Sequence, residues 1–176
     1  MTDSTTDSTG IVVTRHGHHV MFFQRRLDHP VERVWAALTE PELLAQWLAG
    51  ADVELAEGGE IELRWLNYPS GGAVMNGVIT ELDPPTVLEY EGGAFYGLIR
   101  WELSPDATGC TLTFSSTVEA PYENLAESMA GWHMTLGYLA GALDGHPVDW
   151  PNWTVGPDFT RPLATYRRQL RPRSTQ

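Results

Sequence analysis

The sequence predicts an α+β fold in which a curved antiparallel meander sheet wraps on a long C-terminal helix, with two short helices after the first strand. Three observations lead there. Apolar spacing is helical from Asp28 to Gly50, switches to a period of two between Ala51 and Ala120, and becomes helical again after Pro121. The turns between the period-two runs are too short for parallel crossovers, so neighbouring strands are antiparallel. The stretch MAGWHMTLGYLAGAL, Met129 to Leu143, carries no charged residue in fifteen positions. A bilayer-crossing helix needs roughly 20 apolar residues, so other protein surface has to cover this one.

Met1 to Gly10 is Thr, Ser and Asp without an apolar run, which reads as a disordered tail and not as a signal peptide. IVVT and HVMFFQRRL follow as extended segments around a His16-Gly17-His18 turn. Asp28 is placed to cap a first helix, with Pro30 near its start and Val31, Val34, Trp35 and Leu38 on its apolar side. Thr39 is placed to cap a second, ended by Gly50. Six strands are expected at about 52–56, 60–67, 73–82, 86–92, 97–104 and 110–118. Between them lie turn residues such as Asp83-Pro84-Pro85 and Gly92-Gly93. Alternation puts Ile61, Leu63, Trp65, Ile99, Trp101, Leu103, Leu112 and Phe114 on one apolar concave side, with Arg64 and Arg100 outward.

The long helix spans about 122–144. Leu125, Met129, Trp132, Leu136, Ala140 and Leu143 form the band that meets the sheet, with His133 on its edge. Its far side, Gly131, Met134, Tyr138 and Ala142, is also uncharged and calls for a cover. The tail from Gly145, with a short helix at Thr160–Leu170, and a homodimer contact are the two candidates. The chain thus divides into a tail (1–10), a domain (11–146) and a C-terminal extension packing on that domain (147–176).

A formal net charge of −12 repels phosphate backbones, which argues against nucleic acid and anionic membranes as partners. All eleven cationic residues are Arg; without Lys there is no Schiff-base or phosphate-loop lysine. The single cysteine, Cys110, makes no internal disulfide, so a cytoplasmic location is expected and Cys110 reads as a structural thiol. His16, His18 and His19 read as a turn entering a strand, and neither a metal nor another cofactor is expected.

The stretches RRLDHPVERVWAALTEPELLAQWLAG (25–50), GGEIELRW (58–65), GVITELDPPTVLEYE (77–91), IRWEL (99–103) and GWHMTLGYL (131–139) resemble the START / Bet v 1-like (SRPBCC) superfamily. Within it they resemble the branch named after the activator of Hsp90 ATPase homologue, over about 18–146. The resemblance implies a helix-grip fold with a hydrophobic cavity between the long helix and the sheet, of the kind that holds lipids, polyketides or other apolar molecules. It transfers no catalytic motif, and the catalytic residues are left unassigned. The expected ligand-contacting residues are Trp65, Tyr90, Tyr96, Trp101, Phe114, Met129, Trp132, His133 and Leu136; Tyr68 and Phe95 are further aromatic candidates. Core packing explains Trp65 and Trp101 equally well, while Tyr96, beside a Gly-rich turn, is placed for the entrance. Binding of a small apolar or amphipathic ligand is the leading expectation. The alternatives are an enzyme such as a cyclase, dehydratase or hydrolase, with His133 as base and Glu102 or a Tyr orienting it, and a co-chaperone-like interaction module.

Overall fold

A computed structural model describes residues 9–67 and 72–171. Strands β1 (Ile11–Arg15) and β2 (His18–Leu27) form a hairpin, followed by helices α1 (Val31–Thr39) and α2 (Pro41–Leu44). Next come β3 (Ala49–Val53), β4 (Glu60–Trp65), β5 (Val74–Asp83) and β6 (Val87–Glu91), then the one-turn α3 (Gly93–Tyr96), β7 (Leu98–Pro105) and β8 (Cys110–Glu119). Helix α4 (Leu125–Leu143) and helix α5 (Pro157–Gln169) close the chain, with a short turn of 3-10 helix at Trp150–Asn152 between them. All pairings in the eight-stranded sheet are antiparallel, in the order β1-β2-β8-β7-β6-β5-β4-β3. The two short helices bridge the two halves of the sheet.

Strict alternation builds the concave face. Phe23 pairs across to Phe114, Phe114 to Trp101 and Trp101 to Leu88, giving one apolar row that runs over four strands. Helix α4 lays Trp132 on that row, with ring centroids 4.4 Å from Phe114 and 6.1 Å from Trp101. Trp47 closes the row from α2's side, 5.8 Å from Trp101 and edge-on to it. Its Nε1 donates to the Ala37 carbonyl at 2.9 Å, which satisfies its one polar atom in the core.

The outer face is polar. Arg100 bonds Glu81, Glu89 and Glu102 at 2.5, 2.9 and 2.7 Å, and Arg64 bonds Asp52 and Glu62, both at 2.5 Å. The Glu81 carboxyl is held below the usual carboxylate range by its bond to Arg100. The arginine that does turn inward is Arg25, on the buried row of β2. Its guanidinium lies 5.7 Å from the Phe23 ring centre, and Nη1 donates to the Gln24 carbonyl at 2.8 Å.

Several local expectations are corrected. Asp28 does not cap α1. Pro30 holds the N-cap position, its carbonyl takes the first amides, and Asp28 sits 3.4 Å from Arg26. Thr39 does not cap α2, because its hydroxyl turns back to donate to the Trp35 carbonyl at 2.9 Å. Helix α2 ends at Leu44, so Gly50 lies within β3 and that strand starts three residues before the expected 52. The Gly92-Gly93 turn expands into α3, with Gly93 and Gly97 at φ 75° and 63°. At Gly97 a side chain is excluded twice, by that angle and by the Thr117 carbonyl oxygen, which a Cβ would meet at 1.8 Å.

The uncharged outer side of α4 is covered by this chain's own α5 and the segment before it. Tyr166 is fully buried there; its hydroxyl accepts the Gly10 amide at 2.9 Å and bonds His133 Nδ1 at 2.8 Å. Tyr138 donates to Asp158 and accepts from Trp153 Nε1 at 2.9 Å. Trp150 Nε1 donates to the Ala45 carbonyl at 2.6 Å, and Arg167 pairs with Glu127 at 2.7 Å. Among the described residues no helix is long and apolar enough to cross a membrane.

Candidate functional site

Side chains of the aromatic row fill much of the space between sheet and helix, but not the end near the start of α4. A cavity of about 470 Å³ remains there, open on one side. Its floor is the concave face at β2 and β8, where Met21, Ser116 and Val118 are almost wholly buried. Trp65, Tyr96 and Trp132 form the inner wall; Trp65 Nε1 donates to Tyr96 Oη at 2.7 Å and its ring lies edge-on to Trp132 at 6.5 Å. Trp153, Val155 and Phe159, all beyond α4, form the opposite wall. Phe95 and Tyr122 stand at the opening, with Phe95 60% exposed and the Tyr122 hydroxyl 3.4 Å from the Phe95 carbonyl that it donates to.

Helix α4 supplies the remaining side through its N-cap and first three turns, with Asn124, Glu127, Ser128, Gly131 and Thr135. These positions lie about a quarter-turn or more around the helix from the Leu125–Met129–Leu136 band, which is why one helix can pack its core and still border a hollow. Gly131 matters most. A Cβ built on it meets nothing within 4 Å, so the missing side chain is part of the free volume. Glu127 is the lining residue that carries a charge, and its bond to Arg167 holds its carboxyl below the usual range.

Ser116 stands out electrostatically. It is 1% exposed on the inward row of β8, between Met21 on β2 and Ile99 on β7. No side-chain hydrogen bond is made to it by any described residue. Ser116 lines the cavity, so its hydroxyl is open to a guest there and is not sealed into the core.

Of the residues expected from sequence, Trp65, Tyr96, Trp132 and Phe95 come together on this cavity. Trp101, Tyr90, Phe114, Met129 and Leu136 lie behind its wall in the core. Trp101 Nε1 and Tyr90 Oη bond each other at 3.1 Å, and burial pushes the Tyr90 phenol well above its ordinary value. His133 is away from the cavity, on the Tyr166 side of α4, where it borders a separate small surface hollow with Thr9 and Arg161. Glu102 is bonded to Arg100 on the outer face of the sheet, so it does not orient His133. Tyr68 lies outside the described residues. Burial raises the Cys110 thiol, which keeps it protonated. Thr14 Oγ1 bonds His19 Nδ1 at 2.8 Å, and His18 Nδ1 lies 3.1 Å from the His16 carbonyl.

Sequence reasoning missed Met21, Ser116, Glu127, Gly131, Trp153 and Phe159. Ser116 had a readable signal, a polar residue on an otherwise apolar alternating row. Trp153 and Phe159 were legible as tail residues able to cover the far side of α4, but their place on the cavity depends on how the coil after α4 folds back.

Comparison with known proteins agrees with this architecture. The family profile described as "Activator of Hsp90 ATPase homolog 1-like protein" matches residues 28–144. The conserved protein of unknown function EF2215 from Enterococcus faecalis is 18% identical, with 92% of this chain and 90% of that one covered and a TM-score of 0.71. CalU16 from Micromonospora echinospora is 21% identical, with 92% and 96% covered and a TM-score of 0.68. Protein NE0264 from Nitrosomonas europaea is 25% identical, with 72% and 94% covered and a TM-score of 0.63. No curated protein matches the chain. A profile match across most of the chain, on a helix-grip fold shared with these structures, places it: this protein belongs to the family of activator of Hsp90 ATPase homologue 1-like proteins, in the SRPBCC superfamily.

Proposed function

We propose that this protein binds a small amphipathic molecule with a ring-bearing apolar body in the cavity beside the first half of α4. The observation that carries this reading is the cavity itself, about 470 Å³ walled by rings from both the domain and the C-terminal segment. Small-molecule sites are concave, mostly apolar, and furnished with a few polar groups. Burying ligand surface against these rings contributes about 25 cal/mol per Å², offset by the cost of immobilising the guest. The aromatic walls suit a flat ring system, since offset and edge-on contacts are available from Trp65, Tyr96 and Trp132 on one side and from Trp153 and Phe159 on the other.

Gly131→Leu tests it by filling the hollow from the helix side. Leucine in place of a mid-helix glycine raises helix propensity by roughly 0.8 kcal/mol, so the variant is expected to fold at least as well as the parent. Native mass spectrometry of protein purified from its own host is expected to show an adduct on the parent chain and none on Gly131→Leu. A parent chain that carries no adduct and takes up no fluorescent apolar probe would end the binding reading.

A further inference from the structure

The inward row of β8 reads Cys110, Leu112, Phe114, Ser116, Val118. Four of the five are what a buried sheet face requires, and Ser116 is the exception. Its cross-strand neighbours, Met21 and Ile99, are apolar and offer its hydroxyl nothing. It is 1% exposed, makes no side-chain hydrogen bond to any described residue, and lines the deep end of the cavity. An alanine or valine there would complete the apolar row, so the fold alone gives no reason for a serine.

We propose that Ser116 is the polar anchor for the buried end of the ligand, and that this end is an uncharged hydrogen-bonding group, a hydroxyl or a ketone. The proposal rests on the cavity being the binding site. The lack of charge follows from the wall. Among the described residues no Arg or His lines the cavity, so a carboxylate at the floor would lose its hydration without gaining a counter-charge. Among the described lining residues the ionised one is Glu127, itself an anion, which lies in the first turn of α4 paired to Arg167 at 2.7 Å. That carboxylate adds repulsion toward an anion, and its existing partner leaves a buried ammonium group with little to meet. Several of the ring polar atoms already have partners. Trp65 bonds Tyr96, Tyr122 bonds the Phe95 carbonyl, and Trp153 bonds Tyr138. The guest therefore enters polar end first onto Ser116, with its rings between the aromatic walls.

Three fluorescent probes that share one ring system test this at neutral pH: pyrene, 1-hydroxypyrene and 1-pyrenecarboxylate. They are titrated into the parent chain, Ser116→Ala and Gly131→Leu. The parent chain is expected to hold 1-hydroxypyrene roughly three- to tenfold more tightly than pyrene, the range one net hydrogen bond supplies, and 1-pyrenecarboxylate most weakly of the three. Ser116→Ala is expected to lose the preference for the hydroxyl probe while keeping its affinity for pyrene. If Gly131→Leu blocks uptake but Ser116→Ala retains the hydroxyl preference, or weakens all three probes equally, the anchor is wrong and the cavity reading stands. A tightest-bound carboxylate also overturns the anchor. If the parent chain binds none of the three, or Gly131→Leu leaves uptake unchanged, the cavity reading fails and the anchor fails with it.

Discussion

Trp132 and His133 are consecutive residues with unrelated duties. Trp132 faces both the core row and the cavity, and its ring packs 4.4 Å from Phe114. Trp132→Ala is expected to cost about 3 kcal/mol or more, the usual loss when a large ring is removed from a core, read by urea denaturation. His133 points to Tyr166 instead. His133→Ala is expected to leave probe affinity unchanged and to cost about 1 kcal/mol for the lost bond; a large drop in affinity would return His133 to the binding site. The difference between the two was only partly legible in the sequence. A helical wheel puts Trp132 in the apolar band and His133 at its edge, but which neighbour receives the edge depends on where α5 docks. Ser116 was legible in principle, since alternation assigns it inward. What alternation cannot show is whether a neighbouring strand offers the hydroxyl a partner.

Among the elements, the segment between α4 and α5 governs access. It is fastened at its start, where Val148 N and Trp150 Nε1 donate to the Gln46 and Ala45 carbonyls, and at its end by α5. Between those points Trp153 hangs over the cavity and bonds Tyr138. Trp153→Ala is expected to speed probe release several-fold, measured by stopped-flow fluorescence, with a smaller effect on entry. The same fastening responds to alkali. Burial, with the nearby Asp158 carboxylate adding to it, pushes the Tyr138 phenol up to about 12. An unfolded tyrosine ionises near 10, so between about 10 and 12 the unfolded chain binds fewer protons and stability falls as pH rises. Tyr138→Phe is expected to reduce that alkaline loss in thermal melts; an unchanged slope would mean the pair does not hold the segment. Strands and long helix were readable because period two and period 3.6 are local signals. The caps were not. Asp28 and Thr39 are good capping types, but Arg26 and the Trp35 carbonyl engage them in the folded chain.

At the scale of the whole molecule, the formal charge of −12 is arranged so that the sheet's outer face holds its own counter-ions, Arg100 among three glutamates and Arg64 between two acids. Such exposed pairs contribute little to stability individually, and the fold rests on the apolar row and the helix laid across it. The bond from the Gly10 amide to the Tyr166 hydroxyl brings two residues 156 positions apart in sequence to within 2.9 Å. The start of the described chain and helix α5 are therefore neighbours. Joining Arg171 to Thr9 through a short glycine-serine tether, in place of the residues beyond them, and cutting at the exposed Gly145–His146 step is expected to yield a circular permutant that still takes up pyrene, with the segment after the cut now leading the chain.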